Sequence, residues 1–194
     1  MFLKIIVTLI LGYLLGCIPG SMIVSKIAGR RMSGDTTVTG VLRATNIQYA
    51  LIALAIEAGK GFIAALLGDL IVGSDWGVLV AGIAVMLGHV YNIVHGFHGA
   101  KGISPYGGII VMLDGCWWVG LLAIVLGAAL FTAIKAYRLV AVVATLIMAI
   151  LLCVFGNAAA IILGWLIFAL VIFMHKEVFI GMVASKPNTG RNLR

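Results

Sequence analysis

Charge is what this sequence has least of. Asp, Glu, Lys and Arg make up 10% of its 194 residues, 63% are hydrophobic, and the mean hydropathy is +1.23. That excludes a soluble domain, in which about half of the residues are apolar. Strand alternation is missing too. Backbone groups in lipid must be satisfied within the protein, so long apolar segments without alternation are expected to be helices. Cysteine occurs three times, an odd count, and Cys17, Cys116 and Cys153 all lie in apolar segments. They read as small core residues, not as a disulfide framework or a metal set. The opening segment, 2–24, lacks a small-residue cleavage pattern and runs on into a basic loop, which marks it as a retained span. No internal repeat is visible.

What the sequence has in abundance is long apolar runs, at about 2–24, 47–72, 76–94, 103–113, 116–134, 139–155 and 158–174. A bilayer crossing needs roughly 20 such residues. Lysine and arginine collect at alternate ends: Lys26, Arg30, Arg31 and Arg43, then Lys101, then Lys135 and Arg138, then Lys176, Lys186, Arg191 and Arg194. The connections at 73–75, 114–115 and 156–157 carry none. Basic residues favour the cytoplasmic side. The expectation is an all-α integral membrane protein of about seven transmembrane helices, N-terminus outside and C-terminus cytoplasmic. Residues 1–184 would form one polytopic domain and 185–194 a polar cytoplasmic tail. The segment 103–113 is short, about 17 Å as a helix, and its Gly102 and Pro105 predict an irregular start. The net charge of +7 belongs to these topology-setting loops and to contact with anionic lipid, not to nucleic acid.

Against this background the stretch "GHVYNIVHGFHGAKG" (88–102) stands out, with His89, His95, His98 and Lys101 close together. Three imidazoles raise the question of zinc, but the spacing fits no recognised set and no cysteine or carboxylate lies near. Gly99 and Gly102 around Lys101 suggest another chemistry: glycines let backbone N–H groups approach an anion, and lysine adds a point charge. In "AIEAGKGF", Glu57 and Lys60 share one helix face. Either they neutralise each other inside the bundle, or Glu57 aims Lys60 at an anionic ligand, with Gly61 allowing close backbone approach. "TGVLRATNI" brings Thr39, Arg43, Thr45 and Asn46 to the start of the second span, its hydroxyl and amide residues as N-caps or as phosphate ligands. "FMHKEVF" sets His175 and Glu177 at the end of the last span, where a histidine can also complement a helix C-terminus. Together these clusters point to a phosphorylated substrate on the cytoplasmic side.

Five of these segments, in order, resemble the bacterial acyl-phosphate:glycerol-3-phosphate acyltransferases (PlsY type). "YLLGCIPGS" (13–21) resembles the family's YLLGSIPxG, "RATN" (43–46) the end of its GSGNxGATN loop, and "EAGKG" (57–61) its DxxKG. "LGHVYNIVHGFHGAKG" (87–102) resembles LGHxxPxxxxFxGGKG, and "HKE" (175–177) its HxEN. The resemblance implies a seven-span enzyme of the bacterial inner membrane, in phospholipid biosynthesis. Its partners are acyl phosphate, glycerol-3-phosphate and membrane lipids, its product is lysophosphatidic acid, and no metal or nucleotide cofactor is implied. It further implies that Lys101, Gly99, Gly102, Lys60, Arg43, Thr45, Asn46 and His89 bind substrate, with His175, Glu177 and Thr39 catalytic. The departures are specific. Thr39 stands where the family has a serine, Val41 where it has asparagine, Arg43 where it has glycine, Asn92 for a proline, Ala100 for a glycine and Val178 for an asparagine. The family's YxSLxS reads "YRLVAV". An acyltransferase with another acceptor or donor, an inactive lipid-binding member, and a transporter built on Glu57 and Lys60 are the alternatives.

Overall fold

The computed structural model describes residues 1–32, 36–133 and 137–176. Lys135, Glu177 and the 185–194 tail lie outside them. Nine α-helices form among the described residues: α1 (Phe2–Gly16), α2 (Gly20–Ile27), α3 (Val38–Ala44), α4 (Ile47–Val72), α5 (Asp75–Val90), α6 (Ser104–Val111), α7 (Trp117–Ala133), α8 (Tyr137–Phe155) and α9 (Ala158–Met174). Four stretches are long and apolar enough to cross a membrane: α1 with α2 (Phe2–Ile27), α4, α5 with the turn after it (Asp75–His95), and α8. α7 and α9 are shorter and also apolar. The helix limits follow local chemistry. Asn46 Oδ1 accepts the Tyr49 N–H at 3.2 Å to start α4, and Gly73, with φ +83°, ends it. Asn157 starts α9 in the same way, accepting the Ala160 N–H at 3.1 Å.

The buried helix α5 is the centre of the bundle, with α1, α4, α6 and α9 packed around it. The apolar core joins Val85 and Met86 of α5 to Ile109 and Ile110 of α6 and to Leu163 and Ile167 of α9. At one end Asp75 gathers three connections. It accepts the Asp114 N–H at 3.3 Å and is hydrogen-bonded by the Asn157 amide. These are the connections that carry no basic residue.

Two segments depart from the expected spans. The first apolar run breaks at 17–19, before Pro19, so that α1 and α2 are separate helices. α6 is only eight residues long, roughly 12 Å at 1.5 Å per residue. A helix that short is tolerated because Pro105, Tyr106, Gly107, Gly108, Ile109 and Ile110 are all buried in protein between α4 and α7. At Gly61 it is α6 that comes close, not a ligand: a Cβ there would stand 2.0 Å from the Pro105 carbonyl oxygen.

Candidate active site

The break at 17–19 exposes carbonyls that helix α1 would otherwise satisfy, and side chains from α4 and α5 satisfy them. Lys60 donates to Gly16 O at 3.1 Å and to Ile18 O at 3.0 Å. Asn92, just past α5, donates to Cys17 O at 2.7 Å. On the other side of the break, Glu57 Oε1 accepts the Ser21 N–H at 3.0 Å and lies 3.2 Å from the Ser21 hydroxyl, capping α2 with a carboxylate. Glu57 and Lys60 are also an ion pair, 2.6 Å apart, and His89 Nδ1 lies 3.0 Å from Lys60 Nζ and 3.3 Å from Glu57 Oε2. All three side chains are buried. Lys60 is thus held by main-chain carbonyls, His89 and Glu57 together.

From the end of α5 the chain turns back through a 3₁₀ turn (Ile93–His95) to the Gly-Lys segment. Gly99 N–H donates to Val90 O at 2.9 Å and Ala100 N–H to His89 O at 3.0 Å. A Cβ on Gly99 would stand 2.1 Å from His89 O, so only glycine lets this segment lie on the end of α5. Two of the amides expected to cradle an anion, those of Gly99 and Ala100, are thus engaged by the end of α5. The Lys101 side chain is exposed. Gly102 lies beside two groups: a Cβ on it would be 3.5 Å from His89 Nε2 and 3.8 Å from Thr37 Cβ.

Thr37 links this corner to α3. Its hydroxyl accepts the Gly40 N–H at 3.2 Å and sits 2.7 Å from the hydroxyl of the buried Thr39. Arg43, exposed, is one helical turn beyond Thr39 on the same face of α3. Thr45 and Asn46 are engaged in the backbone: the Thr45 hydroxyl donates to Val41 O at 2.7 Å, and Asn46 is the α4 cap. The N-cap alternative is what the geometry displays for Asn46, whereas Thr45 ends α3 with its hydroxyl bonded back to the preceding turn.

His175, buried at the end of α9, has its Nδ1 3.0 Å from Val171 O. A carbonyl only accepts, so Nδ1 carries the proton and Nε2 is the acceptor nitrogen. Burial holds its pKa below the ordinary imidazole value against the raising effect of the Val171 bond, and the positive charges of Lys101 and Arg138 lower it further. Both effects favour the uncharged imidazole at neutral pH. Among the described residues no three His, Cys, Asp or Glu side chains converge on a metal position. His98 Nδ1 instead lies 2.7 Å from Gly96 O.

Two apolar clefts adjoin this polar corner. One, of about 320 Å³, runs from Thr39 along Leu42, Ile47 and Leu51 to Leu54. The other, of about 650 Å³, shares Leu54 and continues between α6, α7 and α8 past Tyr106, Ala123, Ile124 and Met148. Four participants carried no individual signal in the sequence. Thr37 and Ser21 were ordinary hydroxyls, Arg138 was counted only as a topological charge, and Asn92 only as a replacement for proline.

An all-helical membrane fold whose basic, glycine-containing corner opens into an apolar cleft defines a class: membrane proteins that handle a lipid chain and an anionic headgroup together. The profile of the glycerol-3-phosphate acyltransferase family matches residues 6–185, and the chain belongs to that family. Among its relatives, the glycerol-3-phosphate acyltransferase of Cereibacter sphaeroides is 33% identical over 196 residues, covering 97% of this chain and 91% of the relative. That of Thermoanaerobacter pseudethanolicus is 32% identical over 179 residues, covering 89% and 88%. The solved structure of PlsY (YgiH), an integral membrane glycerol 3-phosphate acyltransferase, in its glycerol 3-phosphate form superposes with a TM-score of 0.78 at 27% identity, covering 92% of each chain. Its lysophosphatidic acid form matches equally well.

Proposed function

We propose that the protein transfers a fatty acyl group from acyl phosphate to glycerol-3-phosphate, giving lysophosphatidic acid and inorganic phosphate. The observation that carries this is the buried His175, whose Nδ1 is held 3.0 Å from Val171 O, so that Nε2 is the acceptor nitrogen. The glycerol hydroxyl oxygen bonds to the acyl carbon, the carbon–oxygen bond to phosphate breaks, and phosphate leaves with the electron pair. His175 Nε2 orients the hydroxyl and takes its proton. Lys101, the N–H groups of 101–102 and Arg43 hold the phosphates and stabilise the charge that develops on the leaving group. Thr39 supplies the hydroxyl that the family's serine would, and Glu177 supports His175. The acyl chain lies in the cleft from Thr39 past Leu54. Acyl phosphate is already activated, so positioning and charge stabilisation suffice without an acyl-enzyme or a bound cofactor.

The topology that fits this chemistry has seven crossings in one membrane domain, with α1 and α2 counting as one and α6 as the short one. The N-terminus is outside a bacterial inner membrane, and the site and polar tail face the cytoplasm. A second reading, an acyltransferase with a changed acceptor or donor, is favoured by one observation: Thr39 and Arg43, both replacements, share one face of α3.

Purified protein given palmitoyl phosphate and labelled glycerol-3-phosphate is expected to form lysophosphatidic acid. Lys101→Ala and His175→Ala should each lower kcat/KM by about a hundredfold or more, as for loss of a general base or of an oxyanion partner. Full activity in Lys101→Ala would remove the phosphate clamp, and no product from folded wild-type protein would favour the changed-substrate reading.

A further inference from the structure

His89 is the one buried histidine whose second nitrogen faces the proposed phosphate corner with nothing to bond: Nε2 has no hydrogen-bond partner among the described residues. Its tautomer is set from behind. An ammonium group has three N–H bonds. Those of Lys60 meet Gly16 O, Ile18 O and His89 Nδ1, all within 3.1 Å and with hydrogen-bond geometry. Glu57 Oε2, 2.6 Å from Nζ, is off the line of these three bonds and acts as the counter-charge. With both carbonyls able only to accept, the ammonium has a proton left for Nδ1, which becomes an acceptor. The remaining ring proton is then on Nε2.

A buried N–H with no acceptor is unfavourable, and native proteins rarely keep one without a use. His89 lines a small cleft that it shares with Glu57, Asn92, Thr36, His95 and His98. It also lies beside Gly102, where a Cβ would occupy the space next to it at 3.5 Å. We propose that Glu57 and Lys60 are positioning residues that lock His89 as the Nε2–H tautomer, and that this N–H donates to a phosphate oxygen of the substrate seated against Gly102. The proposal rests on the phosphate site assigned above. It recasts Lys60, expected from sequence to hold phosphate itself, as the group that tells His89 which proton to offer. The phosphate belongs either to glycerol-3-phosphate or to the acyl donor, and both present the same oxygens.

Glutamine places an amide nitrogen where histidine has Nε2, whereas asparagine reaches only as far as Nδ1. His89→Asn is expected to raise KM about tenfold or more for the substrate whose phosphate sits there, the effect of losing one charge-assisted hydrogen bond, with kcat changed by no more than about threefold. His89→Gln should recover most of that KM. Steady-state kinetics with each substrate varied in turn identifies which phosphate it is. Equal impairment of both variants, or of neither, would overturn the proposal.

Ring nitrogens provide a readout independent of turnover. The chain has four histidines, so ¹⁵N-imidazole spectra of the whole protein in detergent are simple, and the His89 signals are those lost in His89→Gln. The expected spectrum is an Nε2–H tautomer whose Nε2 signal moves when glycerol-3-phosphate, inorganic phosphate or a non-hydrolysable acyl phosphonate is added. An Nδ1–H tautomer bonded to Glu57, or no movement with any of the three, refutes it. If wild-type protein forms no lysophosphatidic acid yet the Nε2 signal moves with phosphate, the acyl-transfer reading fails while the donor role of His89 stands.

Discussion

What an imidazole can do depends on which of its nitrogens holds the proton. In His175 the neighbour of Nδ1 is a carbonyl, leaving Nε2 to accept; in His89 it is an ammonium, leaving Nε2 to donate. One corner of the protein thus receives a proton acceptor and a hydrogen-bond donor from the same residue type. The acceptor must be uncharged to work. Because burial and nearby positive charge lower the His175 pKa, its neutral form persists below the pH at which a free imidazole would already be half protonated. The rate is expected to be flat from neutral pH upward and to fall only below the ordinary imidazole value of about 6.5. Removing a positive neighbour should raise that pKa. In Arg138→Gln the acid limb of kcat/KM should move to higher pH, and an unmoved limb would show that Arg138 does not act on His175. The sequence displayed His175 as a helix-end histidine. It could not display the i−4 carbonyl as the partner that selects a tautomer, because that depends on the rotamer taken at the cap.

The helices α4 and α9 begin and end where their polar punctuation says, at 47–72 and 158–174, since an asparagine cap at each start and Gly73 at the end of α4 act through adjacent residues only. α1 was harder. The stretch Phe2–Ile27 is apolar enough as a whole that hydropathy runs straight through the break at 17–19. What makes the break tolerable comes from Glu57, Lys60 and Asn92, far along the chain. Likewise the Glu57–Lys60 pairing was visible in its spacing of three, but not the direction in which the pair points. The contact between α4 and α6 offers a test at this scale. Gly61→Ala would place a methyl group against the Pro105 carbonyl, a backbone atom that cannot rotate away. It should destabilise the protein by about 1–3 kcal/mol or more, as overpacking of a close contact does. Thermal unfolding in detergent measures this, and an unchanged midpoint would mean that α6 is free to shift.

For the molecule as a whole, polar chemistry sits at one end of the bundle and the clefts from Thr39 past Leu54 run into the helices. A chain lying there would pass Ala123 of α7. Ala123→Phe should fill that space, raising KM for palmitoyl phosphate by about tenfold while leaving a short-chain acyl phosphate nearly unaffected, since each buried methylene contributes about 0.8 kcal/mol. Equal KM changes for both donors would place the chain elsewhere.

The break between α1 and α2 also bears on biosynthesis. A ribosome makes the carbonyls of Gly16 and Ile18 and the N–H and hydroxyl of Ser21 before it makes Glu57 and Lys60, and His89 follows later. The costliest residues of the second span therefore enter the bilayer after their partners have already been delivered there. The first span thus serves as a receptor for the second, and the third closes the set. Order along the chain is then part of how a membrane can accept two buried charges at all.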